Sequence, residues 1–224
     1  MLGLQLPHGP LDVLCLGAHP DDIEIGCGGT LLHLAARRGT DLRLTALVLT
    51  GTPERVAEST AALEEILPST KTNFVGLPDG RLPEHWNAVK DTLEGLAREC
   101  RPRLVLAPRT DDAHQDHRLI GTLVPTVWRD ALVLHYEIPK WDGDISSPSH
   151  YVPIDDATAR AKVDLLNRSF GSQLAHDWWD EELFLGLMRV RGMECRSRYA
   201  EAFYAHKVLL DLEPGSRPDP QEIP

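Results

Sequence analysis

At 224 residues the chain can build one sizeable α/β domain with its own core, or two small ones. Its formal net charge of −11 argues against nucleic acid, whose phosphates demand a basic surface. No apolar run approaches about 18 residues, so no membrane span is expected, and residues 1–10 lack the basic and apolar regions of a secretory signal.

Residues 1–10 read as a lead-in, and Leu11 to Gly17 as a buried strand. His19, Pro20, Asp21 and Asp22, with Gly26, Gly28 and Gly29 behind them, read as a polar turn before a first helix from about Thr30 to Arg38, closed by Gly39. Leu42 to Leu49 is the continuous apolar run of a parallel strand, and Pro53 opens a second helix that stops before Pro68. Asn73 to Leu77 is a short strand ending in the turn Leu77-Pro78-Asp79-Gly80. A helix over Glu84 to Cys100, a strand over Arg103 to Ala107, the polar stretch Pro108 to His117 and a helix to about Asp130, kinked at Pro125, follow.

Beyond Asp130 the pattern changes. Leu132 to Ile138 reads as a fifth strand, Trp141 to Ser149 as a Gly/Pro/Ser-rich loop, and Tyr151 to Ile154 as a short strand. Helices over Asp156 to Leu174 and Asp180 to Met193 precede an apolar segment, Ala200 to Leu210. Residues 213–224 are Pro-rich and acidic and read as a disordered tail, after a single domain over residues 1–212. Four strand–helix repeats give an α/β, Rossmann-like, doubly wound, mostly parallel sheet with a C-terminal helical and strand elaboration. The common order 3-2-1-4-5 sets strands one and four side by side, so the two polar stretches face each other at one sheet edge.

An imidazole and two carboxylates at the end of a buried strand are too polar for a core. His19 and Asp22 lie three apart, His117 arrives from the second stretch, and all three are zinc ligand types; two His and one carboxylate leave a position open for chemistry. Strand-end and helix capping are the alternatives for His19 and Asp22. Asp21, left over, suits a base beside a metal-acidified water, or else caps a turn. His114, as a cation, would donate to a developing oxyanion. Asp116 fixes a tautomer, orients a ligating His, or caps the helix.

His19-Pro20-Asp21-Asp22 with Glu24, Gly26 and Gly28-Gly29, and then Asp112-x-His114-x-Asp116-His117, resemble the PIG-L/LmbE-like family of zinc-dependent N-deacetylases. Arg55-x-x-Glu58, Leu77-Pro78-Asp79-Gly80, Ser172-Gln173, Arg191-Gly192 and Ala200-Glu201-Ala202-Phe203 extend the similarity over nearly the whole chain. The resemblance implies one Zn(2+) per chain on His19, Asp22 and His117, with Asp21 as base and His114 as the charge-stabilising imidazole. Other divalent metals, such as iron(II), suit the same donors. Arg196 departs from the glycine many members carry nearby, so the family's shape or charge preference in the outer pocket does not carry over to this chain.

The implied reaction is hydrolysis of the N-acetyl group of a GlcNAc-type sugar or glycoconjugate. Substrate-binding candidates are Arg55, for a hydroxyl or anionic group, Asp79, for sugar hydroxyls, and Trp141, as a ring stacking on a sugar face. For Arg55 and Asp79 the plain alternatives are a surface arginine and a turn aspartate. An amidase for a larger acyl or thiol conjugate and a non-catalytic nucleotide or sugar-nucleotide module stay open, whereas too few ligands are present for a two-metal phosphoesterase. The widely spaced cysteines 15, 27, 100 and 195 suit reduced thiols in the cytoplasm. Trp178-Trp179 suit packing or a homo-oligomer contact.

Overall fold

A computed structural model gives the fold and describes residues 1 and 3–210. The expected tail, 213–224, lies outside the described residues. Among the described residues, seven strands form one sheet in the order β3-β2-β1-β4-β5-β7-β6. The strands are β1 (Leu11–Gly17), β2 (Leu42–Thr50), β3 (Lys71–Leu77), β4 (Leu104–Pro108), β5 (Leu132–Tyr136), β6 (His150–Ile154) and β7 (Tyr199–Ala205). The first five pair in parallel, in the expected 3-2-1-4-5 order. The C-terminal elaboration extends the sheet: β7 lies antiparallel between β5 and β6.

Alternation along the strands feeds two cores. Val13 and Cys15 face α1 (Asp22–Arg38), α2 (Pro53–Ile66), α5 (Asp156–Ser169) and α6 (Glu181–Cys195), packing with Ile23, Leu31, Leu63, Leu166 and Phe184. Leu14 and Leu16 face α3 (Trp86–Glu99) and α4 (Gln115–Val127), packing with Val89, Leu93, Ile120 and Val124. A strand buried on both faces reads as a nearly unbroken apolar run, which is why β1 and β2 stand out in the sequence.

The start of the first helix differs from the expectation. The first helix begins at Asp22, not near Thr30, and the glycines read as turn residues lie inside it. A Cβ on Gly26 would sit 2.1 Å from the Tyr136 ring, and one on Gly29 would meet Ile154 Cδ1 at 2.9 Å and Glu201 Oε1 at 3.0 Å. Close packing against β5, β6 and β7, not a turn, selects those residues. Arg196 ends α6 with φ 63°, a left-handed helix terminus where glycine is favoured, so its departure from the family pattern falls on an exposed helix end.

Candidate active site

The site forms where β1 and β4 end side by side. Ala18 to Asp21 make the turn from β1 into α1. Ala18 O accepts from Thr50 N at 2.9 Å and Thr50 Oγ1 at 2.7 Å, which ties the turn to the end of β2. Asp22 Oδ2 closes it by accepting the N–H groups of Ala18 and His19 at 2.8 and 2.9 Å. Gly51 has φ 136°, and a Cβ there would lie 2.7 Å from Pro20 Cγ, so glycine alone lets β2 turn beneath Pro20. Asp21 itself has φ 109°, a region that costs a side-chain-bearing residue about 1–3 kcal/mol. Its carboxylate caps nothing; Oδ2 accepts from Arg55 Nη2 at 2.9 Å, and the same nitrogen donates to Pro20 O at 2.7 Å.

The other half is the β4–α4 loop. Asp112 Oδ1 accepts from His114 N at 2.8 Å, lies 3.0 Å from Lys140 Nζ and stands 3.3 Å from His117 Nδ1. Asp116 spends its carboxylate on Gly80 N at 2.8 Å and Leu82 N at 3.0 Å, so it anchors the loop after β3 to α4. His114 precedes α4, and its Nδ1 accepts the Asp116 N–H at 3.3 Å, leaving Nε2 as the ring's donor. A ring used this way donates as a neutral imidazole rather than as the cation expected from sequence.

Across the gap, His19 Nδ1 faces His117 Nε2 at 3.1 Å. Asp22 Oδ1 is 3.3 Å from His117 Nε2, and Asp22 Oδ2 is 3.6 Å from His19 Nδ1. Donors around a tetrahedral ion with zinc-type bonds stand about 3.3 Å apart, so these three fit one divalent metal. The outer nitrogens are backed by carboxylates, as ligating histidines usually are. His117 Nδ1 has Asp112, while His19 Nε2 lies 2.9 Å from Asp79 Oδ1, without hydrogen-bond alignment, and 3.4 Å from Asp116 Oδ2. His114 also brings a nitrogen within 4.8 Å of those on His19 and His117. Its engaged Nδ1 and the closeness of Asp22 make Asp22 the better third ligand.

The charges form a tight network. Burial opposes ionising Asp22, but the imidazoles of His117 and His19 hold its pKa well below the usual range. Burial likewise opposes charging His117, yet Asp22 and Asp112 keep it up at about 9. Asp112 is held down at about 2 against its burial by His117 and Lys140. Asp21 goes the other way: burial pushes it up to about 7, with the Arg55 guanidinium pulling down. Burial and the neighbouring His117 and His19 lower His114.

The structure therefore brings His19, Asp21, Asp22, His114, Asp116 and His117 together, with Arg55 and Asp79 at the edge. Trp141 lies outside that cluster, on the β5–β6 loop that Lys140 ties to Asp112, 69% exposed, its ring against Trp178 and His176. Trp179 is buried against Phe170 and Phe184, a packing role. Sequence reasoning gave Asp112, Lys140 and Glu201 no role. Asp112 and Glu201 sit inside quoted motifs, but only contacts reveal what they hold.

A family model described as PIG-L, GlcNAc-PI de-N-acetylase, matches residues 14–128, the stretch that carries both halves of this site. The chain belongs to the PIG-L family. A relative named "Uncharacterized deacetylase YaiS", from Escherichia coli, is 32% identical over 140 residues, covering 57% of this chain and 74% of that protein. The diacetylchitobiose deacetylase of Thermococcus kodakarensis is 31% identical over 128 residues, covering 50% of this chain but only 46% of that relative. The solved N,N'-diacetylchitobiose deacetylase from Pyrococcus horikoshii superposes with a TM-score of 0.69 at 23% identity, covering 87% of this chain and 83% of that one, and so shares the fold. Among the described residues, no helix of this PIG-L family member is long and apolar enough to cross a membrane.

Proposed function

We propose that this PIG-L family member is a zinc-dependent N-deacetylase that hydrolyses the acetamide of a GlcNAc-type sugar. The observation that carries the reading is the convergence of His19 Nδ1, His117 Nε2 and Asp22 on one position, with the Asp21 carboxylate beside it and capping no helix. His19, Asp22 and His117 would hold one Zn(2+), and the ion supplies the Lewis acidity that polarises the amide carbonyl and acidifies water.

The reaction forms a C–O bond from water to the acetyl carbon and breaks the C–N bond, giving acetate and a free amine. Asp21 accepts the water's proton and returns one to the departing nitrogen. A carboxylate whose burial brings its pKa near 7 can do both. His114 donates its Nε2–H to the carbonyl oxygen as that oxygen gains negative charge. Asp116 is a positioning residue, fixing the Gly80–Leu82 loop beside His19 and, through its own N–H, the His114 tautomer. Arg55 sets the place and charge of Asp21, and Asp79, exposed at the edge, accepts a sugar hydroxyl. Cysteines free of disulfides among the described residues suit a reducing compartment, and we place the enzyme in the cytoplasm.

The test is acetate release from N-acetylglucosamine and its conjugates by protein reconstituted with zinc. Asp21→Ala is expected to keep the metal and lose turnover, and His19→Ala to lose both. Stoichiometric metal with no acetate released from any N-acetyl aminosugar would overturn the assignment. Release of a larger acyl group in its place would favour an amidase for bulkier conjugates.

A further inference from the structure

We infer that Trp141, His176 and Trp178 form a stacking platform for a second pyranose ring, so that the substrate is a GlcNAc-containing oligosaccharide rather than the free monosaccharide. The inference rests on the deacetylase reading above and names the substrate class of that same site.

Trp141 is 69% exposed, an unusual fate for so large an apolar ring. Its loop is nevertheless tightly tethered on both sides of the ring. Lys140 Nζ reaches Asp112 Oδ1 at 3.0 Å, and both oxygens of Asp144 at 3.1 Å. Asp144 O accepts from Arg109 Nη1 at 2.7 Å, and Asp144 Oδ2 from Ala113 N at 2.8 Å. The Asp142-Gly143-Asp144 stretch is thus a strap onto the loop that leads through His114 into α4 and His117. A ring presented on a pre-organised loop, with no core to enter, loses little entropy when a ligand covers it.

The second wall comes from the loop between α5 and α6. Ser172 is fixed to Glu58 through N and Oγ at 2.8 and 2.6 Å, one helical turn beyond Arg55 on α2. From there the chain brings His176 and Trp178 to Trp141, with ring centroids 6.3 Å from it in each case, edge to face. His176 and Trp178 stack at an interplanar angle of 19°. Two loops, one tied to the metal-side loop and one to the helix of Arg55, therefore meet in aromatic rings beside the site. Mixed indole and imidazole faces with polar edges match a sugar, which offers an apolar C–H face and a rim of hydroxyls, better than they match an alkyl chain.

The test uses metal-free and zinc-loaded protein with three probes: N-acetylglucosamine, N,N'-diacetylchitobiose and an n-octyl glycoside of N-acetylglucosamine. In the metal-free protein, diacetylchitobiose should shift tryptophan fluorescence saturably, at concentrations where the monosaccharide does not. Trp141→Ala should weaken that binding about tenfold, and Trp141→Phe should restore most of it. In the zinc-loaded enzyme, Trp141→Ala should raise KM for the disaccharide and erase its preference over the monosaccharide. Equal binding of mono- and disaccharide overturns the platform, as does disaccharide binding indifferent to Trp141→Ala, or a Trp141-dependent preference for the octyl glycoside. Trp141-dependent disaccharide binding without acetate release from any probe supports the platform while sinking the deacetylase reading.

Discussion

Lys162 Nζ and Glu201 Oε1 meet at 2.6 Å in the interior and complete the hydrogen bonding of α1 from outside the helix. Glu201 accepts the N–H of Gly29 at 2.8 Å and of Thr30 at 2.6 Å, and Lys162 donates to Ile25 O at 2.5 Å. Ile25 O is the carbonyl that Gly29 N would face in an uninterrupted helix. The N-terminal half of α1, from Ile25 to Thr30, is thereby held by α5 and β7.

Removing one partner of a buried pair leaves the other charge stranded, which costs about 3–5 kcal/mol. Lys162→Met should therefore lower the denaturation midpoint sharply, measured by urea unfolding at neutral pH. A loss below about 1 kcal/mol would mean the pair is better solvated than its burial implies.

The glycines of α1 give a graded series. Gly26→Ala drives a methyl to 2.1 Å from the Tyr136 ring, and Gly29→Ala to 2.9 Å from Ile154 and 3.0 Å from Glu201. Gly28→Ala makes only ordinary contact with Lys162 at 3.6 Å. Helix propensity favours alanine by up to about 1 kcal/mol. Gly28→Ala should be neutral to stabilising, while Gly26→Ala costs about 3 kcal/mol or more through overpacking. Thermal unfolding of the three variants should rank them 28, 29, 26, and the reverse order would refute the packing account.

Those glycines also show where the sequence stops being readable. The order of the first five strands and the meeting of His19 with His117 follow from apolar runs and crossover rules, because both are set by local pattern and sheet topology. The start of α1 does not, because Gly26 and Gly29 are selected by Tyr136, Ile154 and Glu201, more than a hundred positions away. Asp112 and Asp116 look alike in their motif. Only the structure separates them, one backing His117 and the other tying down the loop after β3.

In the proposed reaction Asp21 works as a base in its ionised form, so the rate should rise with pH through its pKa. Burial raises that pKa and Arg55 lowers it. Arg55→Gln removes the cation that favours the carboxylate, so the acidic limb of the kcat/KM profile should move to higher pH. A metal ion in the site lowers both limbs together and leaves the direction of the difference intact. An unmoved limb would show that Arg55 serves the substrate alone.

On the proposed ligand set, protons and metal compete for the same nitrogens. Without metal, His117 is held at about 9, and His19 well above its ordinary value, against burial and chiefly by Asp22. Both must be neutral to coordinate. Apparent metal affinity should thus climb between pH 6 and 8, by about tenfold per unit for each proton displaced. Chelator competition across pH, with calorimetry in buffers of different ionisation enthalpy, counts those protons. A flat dependence would exclude His19 and His117 as ligands.

Glu24 makes stability fall as pH rises. Burial pushes its pKa from 4.5 to about 8, although Ser59 Oγ donates to Oε1 at 2.7 Å. Below about pH 4.5 both states hold the proton and nothing changes. Between there and about 8 the unfolded chain releases it while the native one does not, so the unfolded state gains and the native protein loses stability. Glu24→Gln keeps the shape and removes the titration. The difference in Tm between Glu24→Gln and the parent should be flat in acid, then grow in favour of glutamine by several degrees up to about pH 8. A constant difference across that window would mean Glu24 is ionised in the fold, with a cation beside it strong enough to overcome its burial.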